Sequence, residues 1–498
     1  MERPRAIRSI LILGGGLTGL SAAAAFAHAL PRARIVLVEL PPDPAALADR
    51  MPGSLPAIHH FHAAIGLDEA GLLRTGAATP RLALRFEHWS PRGEPWLHVY
   101  GDHGLPLGAI AFHQVWAAAR REGRAGPFHL TNAAGALAST DCFALPNHDP
   151  QSLLSTFDHA LRLEPEAYAA RLAAAAGKRL LRARGEFGGV QRREDGGVAA
   201  ILLKDGRRFE ADLFLDCAGP AAPLLSRLDS GWEDWSAFFP ADRLLIGTVP
   251  AAPSPSDLVS ATDIGWRWSA PGLAHGFGGL AYASAITTEA EARQALGDSG
   301  KAEAAGLIAI RPGRRPRPWL RNVLALGDAA VAVDPLQWTN LALVHSAIGR
   351  ALELLPGRDC HPIELAEYHR RAEQEARRVR DFLALHILRS GRARGEFWRG
   401  LADRPLPDSL ANTLHHFLKR GRLPFYEEEL FTRDSWLSVL FGLGLAPEHP
   451  DPSATAAGSE QALAALEKFG QRVQAETKGA PAYADFLRGL PPRSSSRA

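Results

Sequence analysis

Apolar and polar positions alternate between two rhythms along this chain, and the first of them starts almost at once. Ser9 to Leu13 (SILIL) is a short apolar run suited to a buried strand. GGGLTG follows from Gly14 to Gly19, then an Ala-rich stretch from Leu20 to Leu30, then a second apolar run from Arg34 to Leu40. Strand, glycine turn, helix and strand predict a βαβ unit, because parallel strands need a helical crossover. From residue 41 to about 150 the periodic runs are short, and Pro, His and aromatic residues are frequent, so this stretch reads as loop-rich. Glu164 to Gly177 reads as a helix. Residues 189–215 read as a meander of short strands with turns at Asp195-Gly196 and Asp205-Gly206.

Asn322 to Val333 (NVLALGDAAVAV) is a further strand entering a tight turn, and beyond about residue 342 the pattern is helical. Two heavily charged helices, Glu364 to Arg389 and Ser459 to Glu476, are expected to present a solvated face rather than a docking surface. Ser390-Gly391 terminates the first of them. The expected organisation is a module over 1–345 with an interleaved β-rich region, a helical region over 346–490, and a disordered tail over 491–498 (PPRSSSRA).

Composition narrows the function classes. The 498 residues are 46% hydrophobic and 22% charged, ordinary for a folded enzyme-sized chain that buries about three-quarters of its surface. Lys+Arg (56) and Asp+Glu (54) nearly cancel, so no field points to nucleic acid or an anionic membrane. Lysines are confined to positions 178, 204, 301, 419, 468 and 478, and none precedes Lys178. Cys142, Cys217 and Cys360 are too sparse for a disulfide framework, which favours a cytoplasmic setting. Arg3 and Arg5 before the apolar run imitate a secretory leader, but the glycines inside that run argue for the βαβ turn.

The glycine turn carries the strongest chemistry. In Gly14-x-Gly16-x-x-Gly19 the first glycine permits the turn, the second admits a diphosphate to the backbone, and the third lets helix and strand pack closely. Amides at the helix start, at Leu17 and Thr18, then receive phosphate. Glu39, at the end of the next strand, is placed to accept ribose hydroxyls, and an acid there disfavours a 2′-phosphate. FAD or NAD is expected. Gly327-Asp328 after a strand resembles the second flavin motif of FAD-dependent monooxygenases, whose Asp takes a ribityl hydroxyl. Ala211 to Gly219 (ADLFLDCAG) resembles their intervening strand, and together these favour FAD. The expected fold class is α/β, an FAD-dependent monooxygenase-type dinucleotide-binding fold with a β-rich region and a helical C-terminal part covering the substrate.

Gly265 to Pro271 (GWRWSAP) sets Trp266 and Trp268 on one side of an extended segment. It resembles the W-x-W-x-I-P motif of the flavin-dependent tryptophan halogenases, with Ala270 in place of Ile. The resemblance extends through Pro56 to Glu69, Thr79 to Trp89 (TPRLALRFEHW), Phe397-Trp398-Arg399, Pro407 to Leu410, and Glu429 through Trp436 to Gly444. It implies reduced FAD supplied by a separate flavin reductase, reaction with oxygen to a flavin hydroperoxide, and attack by halide. The hypohalous acid then passes through a tunnel to an aromatic substrate beside a Lys and a Glu. Trp266 and Trp268 are implied at the tunnel, Trp436 at the substrate, and Pro335 beside the cofactor.

Two departures fall on the catalytic positions. The family's Lys aligns with Arg81, and its P-L-E-S-T-G segment aligns with Pro335-Leu336-Gln337-Trp338-Thr339-Asn340. Arg keeps its proton and offers no free amine, and Gln is no general base near neutral pH. Trp338 is expected to narrow or plug the halide approach. Asn340, which tolerates the left-handed backbone that Gly adopts, is expected to keep a halide-binding amide site with Thr339. A buried Arg81 facing Gln337 lacks a counter-charge, so either that cavity is wet or an acidic or electron-rich group on the substrate completes it, and the second is favoured. His59, His60, His62, His88, His98, His103 and His113 show no local metal-ligand spacing, so no metal is expected; His59 and His60 are read as flanking the flavin or substrate cavity.

The resulting expectation is an FAD-dependent oxidoreductase acting on an aromatic, indole-like substrate, its halogenation either reshaped around Arg81 and Gln337 or lost in favour of oxygenation. The alternatives are a flavin-binding partner or sensor without turnover, and a flavin monooxygenase that hydroxylates without halide. Halide and a homodimer are both compatible with the sequence, while a membrane partner is not expected because no other uncharged apolar stretch reaches spanning length.

Overall fold

A computed structural model describes residues 6–91, 93–272, 275–297, 303–392, 394–449, 451–452, 454 and 459–490. The expected tail over 491–498 lies outside them. The strand Ser9–Leu13 sits at the centre of a six-stranded sheet, flanked in parallel by Arg34–Glu39 on one side and Leu213–Asp216 on the other. The apolar runs are continuous because these strands are covered on both faces. The helix Leu17–Ala29 packs on one face with small residues that let it approach closely, and it buries everything from Leu17 to Phe26. Leu213–Asp216 is followed across the sheet by Val323–Ala325, so the two flavin-type strands lie side by side.

A second, seven-stranded sheet carries the tryptophan strand Gly265–Ala270 between Ser256–Thr262 and His275–Tyr282. Ser256–Thr262 pairs in parallel with Ala83–Glu87. The strand Ala78–Arg81 instead forms a two-stranded ladder with Ala160–Leu163, in which Arg81 faces Ala160 and Thr79 faces Arg162.

The antiparallel meander appears as Phe187–Arg192, Val198–Leu203 and Arg208–Glu210. The helices predicted over 164–177, 364–389 and 459–476 occupy Pro165–Ala176, Pro362–Leu388 and Ser459–Thr477. Two expectations change. The stretch 41–150 holds real elements, among them the helices Ile58–Ala64, Glu69–Thr75 and Phe112–Arg121 and the strands Ala78–Arg81, Ala83–Glu87 and Trp96–Val99. Most of them run only four to seven residues, one short strand or about two turns of helix, too few for either period to stand out in the sequence. The helix Pro362–Leu388 is not a solvated rod. From Glu375 onward nearly all of it is buried, in the same core that holds Trp266, Trp268, Trp338 and Trp436.

Candidate active site and cofactor cradle

The glycine turn does what its spacing requires. Gly14 has φ +113°, and a Cβ there would strike the Cys217 carbonyl at the end of the neighbouring strand. A Cβ at Gly19 would strike the Gly14 carbonyl, so the third glycine is the helix–strand contact. A cavity of about 730 Å³ opens beside this turn, lined by Gly14 to Leu17, Glu39, Arg50, Arg184 and Cys217-Ala218. Glu39 stands at its edge held by Arg182 and Arg184. Partial burial pushes its carboxyl up, but the two guanidinium groups outweigh that and hold it below the usual range.

The second motif meets the first. Gly327, at φ +61°, abuts the Thr18 side chain, and Asp328 accepts from the Ala48 amide at 2.9 Å. Asp328 is buried, and that burial raises it to about 7. Pro335 is buried one turn further on and does not line the cavity.

One neighbour was not foreseen. Asp49 reaches back onto the helix start, where its Oδ1 accepts from the Thr18 amide at 2.8 Å and from the Thr18 hydroxyl at 2.9 Å. Its carboxylate fills the notch at Gly16, where an added Cβ would overlap it. The expectation of a free Thr18 amide is therefore corrected: a side chain of the chain's own already caps it. Gly15, Gly16 and Leu17 still line the cavity, with Arg50 and Arg184 as cations. This cradle fits a dinucleotide diphosphate with a ribose at Glu39.

The two positions that the resemblance marks as catalytic are arranged otherwise than expected, and no substrate anion is needed beside Arg81. Arg81 is fully buried, and its Nε lies 3.2 Å from Asp257 Oδ2. Arg81 Nη2 donates to the Ser54 carbonyl at 2.5 Å, and the guanidinium lies 5.4 Å from the Tyr100 ring centre. Asp257 also binds the buried Arg162, which donates to the Tyr483 hydroxyl at 3.3 Å. The counter-charge predicted from a ligand thus comes from Asp257, and it is shared between two guanidinium groups.

Gln337 does not face Arg81. Its Oε1 accepts from His98 Nδ1 at 2.7 Å, and its Nε2 donates to His386 Nε2 at 2.8 Å. His386 Nδ1 donates in turn to the Phe382 carbonyl at 2.8 Å. Burial lowers both imidazoles, to about 4 for His98 and about 3 for His386, so both are neutral at pH 7. Phe382, Phe431 and Trp436 surround this row, with Phe382 stacked on Phe431 at 3.7 Å and edge-on to Trp436 at 5.0 Å. Trp436 is buried there, and its other neighbour is the Arg378 guanidinium, 4.5 Å from its ring centre.

The left-handed backbone expected at Asn340 falls earlier, on Gln337 (φ 68°) and Trp338 (φ 59°). Asn340 is instead in the first turn of the helix Thr339–Glu353. Trp338 swings into a notch opposite Gly53, next to the Ser54 that holds Arg81, and stands edge-on to Trp268 at 6.4 Å. Trp266 and Trp268 share one face, centroids 5.4 Å apart, and both are buried. Thr339 Oγ1 and Asn340 Oδ1, side by side at the helix start, have no hydrogen-bond partner among the described residues.

Of the two histidines expected at a cavity, His60 lines one of about 450 Å³ together with Ser54, Phe61, His345 and Glu429. His59 turns away from it toward Glu69 and His159. Asp49, Asp257, Arg162 and His386 escaped the sequence reading. Only His98 lay within a flagged cluster.

A glycine turn, an acid on the second strand and a Gly-Asp motif meeting at Thr18 define a nucleotide-binding oxidoreductase scaffold of the flavin type. The family model for tryptophan halogenase matches residues 9–459, and the chain belongs to that family. FAD is the cofactor its cradle fits. Among curated relatives, Tryptophan 7-halogenase KtzQ from Kutzneria sp. (strain 744) is 26% identical, over 90% of this chain and 91% of that protein. Two solved structures superpose with TM-score 0.92. BrvH, a flavin-dependent halogenase from Brevundimonas sp. BAL3, is 32% identical and matched over 98% of this chain and 99% of its own. Xcc4156, a flavin-dependent halogenase from Xanthomonas campestris, is 31% identical and matched over 99% of this chain and 100% of its own.

Proposed function

We propose that this protein takes reduced FAD from a separate flavin reductase and uses it, with oxygen, to oxidise an aromatic, indole-like substrate without halogen delivery by a lysine. The bound cofactor supplies the oxidant. The observation that carries the reading is Arg81: at the position the family resemblance assigns to lysine stands a fully buried guanidinium, ion-paired with Asp257 and bonded to Ser54. It holds charge and geometry but offers no nucleophilic nitrogen. Gln337 orients two neutral imidazoles and moves no proton itself. The aromatic substrate class rests on the family resemblance, since Phe382, Phe431 and Trp436 are buried against one another. The amides at Thr339 and Asn340 are the halide candidates if halogenation has been reshaped rather than lost.

The test supplies reductase-generated reduced FAD, oxygen and a panel of indoles and other arenes, with and without bromide, and reads product mass. A product one oxygen heavier in bromide-free buffer supports oxygenation, and a brominated product supports a halogenation reshaped around Arg81 and Gln337. Flavin binding with no product from any arene rejects the proposal in favour of a second reading, a flavin-binding partner or sensor. Trp338 favours that second reading, because its indole fills the space between Gly53 and Trp268.

A further inference from the structure

Away from the cradle and from Arg81, three separate elements bring a nitrogen and oxygen ligand set together. His59 is in the first turn of the helix Ile58–Ala64, Glu69 opens the helix Glu69–Thr75, and His159 immediately precedes the strand Ala160–Leu163. One donor atom from each lies within 4.8 Å of the others. Glu69 divides its carboxylate between the rings, with Oε2 3.2 Å from His59 Nδ1 and Oε1 2.8 Å from His159 Nε2. We propose that His59 Nδ1, Glu69 and His159 Nε2 form a binding site for a borderline divalent transition ion of the Zn²⁺ class.

Donor chemistry sets the class of ion. Two imidazoles and a carboxylate suit Zn²⁺ and its neighbours, whereas Mg²⁺ and Ca²⁺ seek oxygen alone. The second shell is already built. His59 Nε2 donates to the His159 carbonyl at 2.9 Å, which fixes the ring and turns Nδ1 toward Glu69. Metal-binding histidines are oriented by this kind of bond from the other ring nitrogen. His159 is nearly buried, while His59 and Glu69 are each about a quarter exposed, 28% and 27%. The ion therefore has an entry path and a side open to water, with the exposed Asp158 next in sequence to His159 as a further oxygen donor. The ion would enter where Glu69 now bridges the two rings.

Such an ion would tie both helices to the strand whose Ala160 is the register partner of Arg81. It shares no residue with the cofactor cradle, so its test does not depend on turnover or on the proposed function. Untagged full-length protein, stripped with chelator, is titrated with Co²⁺ and followed by visible d–d absorption, then challenged with Zn²⁺. The expected result is one Co²⁺ per chain, displaced by Zn²⁺, and a higher melting temperature with Zn²⁺. His159→Ala and Glu69→Gln should each weaken Co²⁺ binding about tenfold or more. His59→Gln, near the surface and with an amide nitrogen where Nε2 stood to donate to the His159 carbonyl, guards against a misfolded variant. The proposal is overturned if the wild type gives no Co²⁺ band and no Zn²⁺-dependent rise in melting temperature. It is equally overturned if the folded His59→Gln and Glu69→Gln proteins bind Co²⁺ as the wild type does.

Discussion

Asp49 caps the Thr18 amide at the edge of the diphosphate cradle, and replacing it should improve cofactor binding while weakening the fold. Its carboxylate takes two hydrogen bonds from Thr18, at 2.8 and 2.9 Å, and fills the Gly16 notch. For phosphate to reach the Thr18 amide, at least one charge-assisted bond must be surrendered, worth about 1.5–3 kcal/mol net. Asp49→Gly removes that competition, so its Kd for FAD should fall by roughly tenfold to a hundredfold. The same change deletes a helix cap, costing about 0.5–2 kcal/mol. At about 2.1 cal/mol/K per residue, unfolding a chain of 498 residues carries an entropy near 1 kcal/mol/K, so the melting temperature should fall by only about 0.5–2 °C. Quenching of flavin fluorescence measures the first effect and calorimetry on flavin-free protein the second. Tighter binding with a lower melting temperature is a pairing that simple damage does not produce. A folded Asp49→Gly protein that binds FAD no better than the wild type would refute the reasoning.

Asp257→Asn leaves two buried guanidinium groups sharing no anion, which costs about 3–5 kcal/mol and, by the same entropy, about 3–5 °C by calorimetry. Asp328 has a folded pKa raised from 3.8 to about 7, so its contribution to stability is fullest below pH 4 and is lost as pH rises through 7. Over the same window the buried imidazoles lowered to about 3 or 4, His98 and His386 among them, add stability, so the carboxyl's contribution is read as a difference between wild type and variant. Between pH 4 and 7 Asp328→Asn should gain stability relative to the wild type by on the order of 4 kcal/mol, in urea titrations at the two pH values. Trp338→Gly opens a cavity costing about 3–5 kcal/mol and returns about 1 by relieving the left-handed backbone, so a net loss of about 2–4 kcal/mol is expected from denaturant unfolding.

The parts legible in sequence were those whose partners lie close along the chain. The glycine turn, Glu39 and Gly327-Asp328 announce themselves because a strand, a turn and a helix start must be contiguous. The long helices near 362–388 and 459–477 show their period over many residues and were placed to within a few positions. Asp49 sits in an aperiodic segment 31 residues from Thr18, and nothing local marks it as a cap. Glu69 and His159 are separated by 90 residues, and no rule of helical spacing can pair them. Arg81 was found by position, but its meaning changed with Asp257, which reaches it from a neighbouring sheet. The left-handed turn was expected where Gly had stood and fell instead on Gln337 and Trp338, because the helix begins at Thr339.

The amide at Gln337 has one further effect. Because its oxygen can only accept and its nitrogen can only donate, His98 must carry hydrogen on Nδ1, and His386 must present a bare Nε2 while its own Nδ1 hydrogen goes to Phe382. Both tautomers are thereby locked, and His98 Nε2 is left as a lone pair without a partner among the described residues. A carboxyl in the same seat could shuttle hydrogen ions from one ring to the other. The amide insulates them, so whatever chemistry reaches His98 stops there.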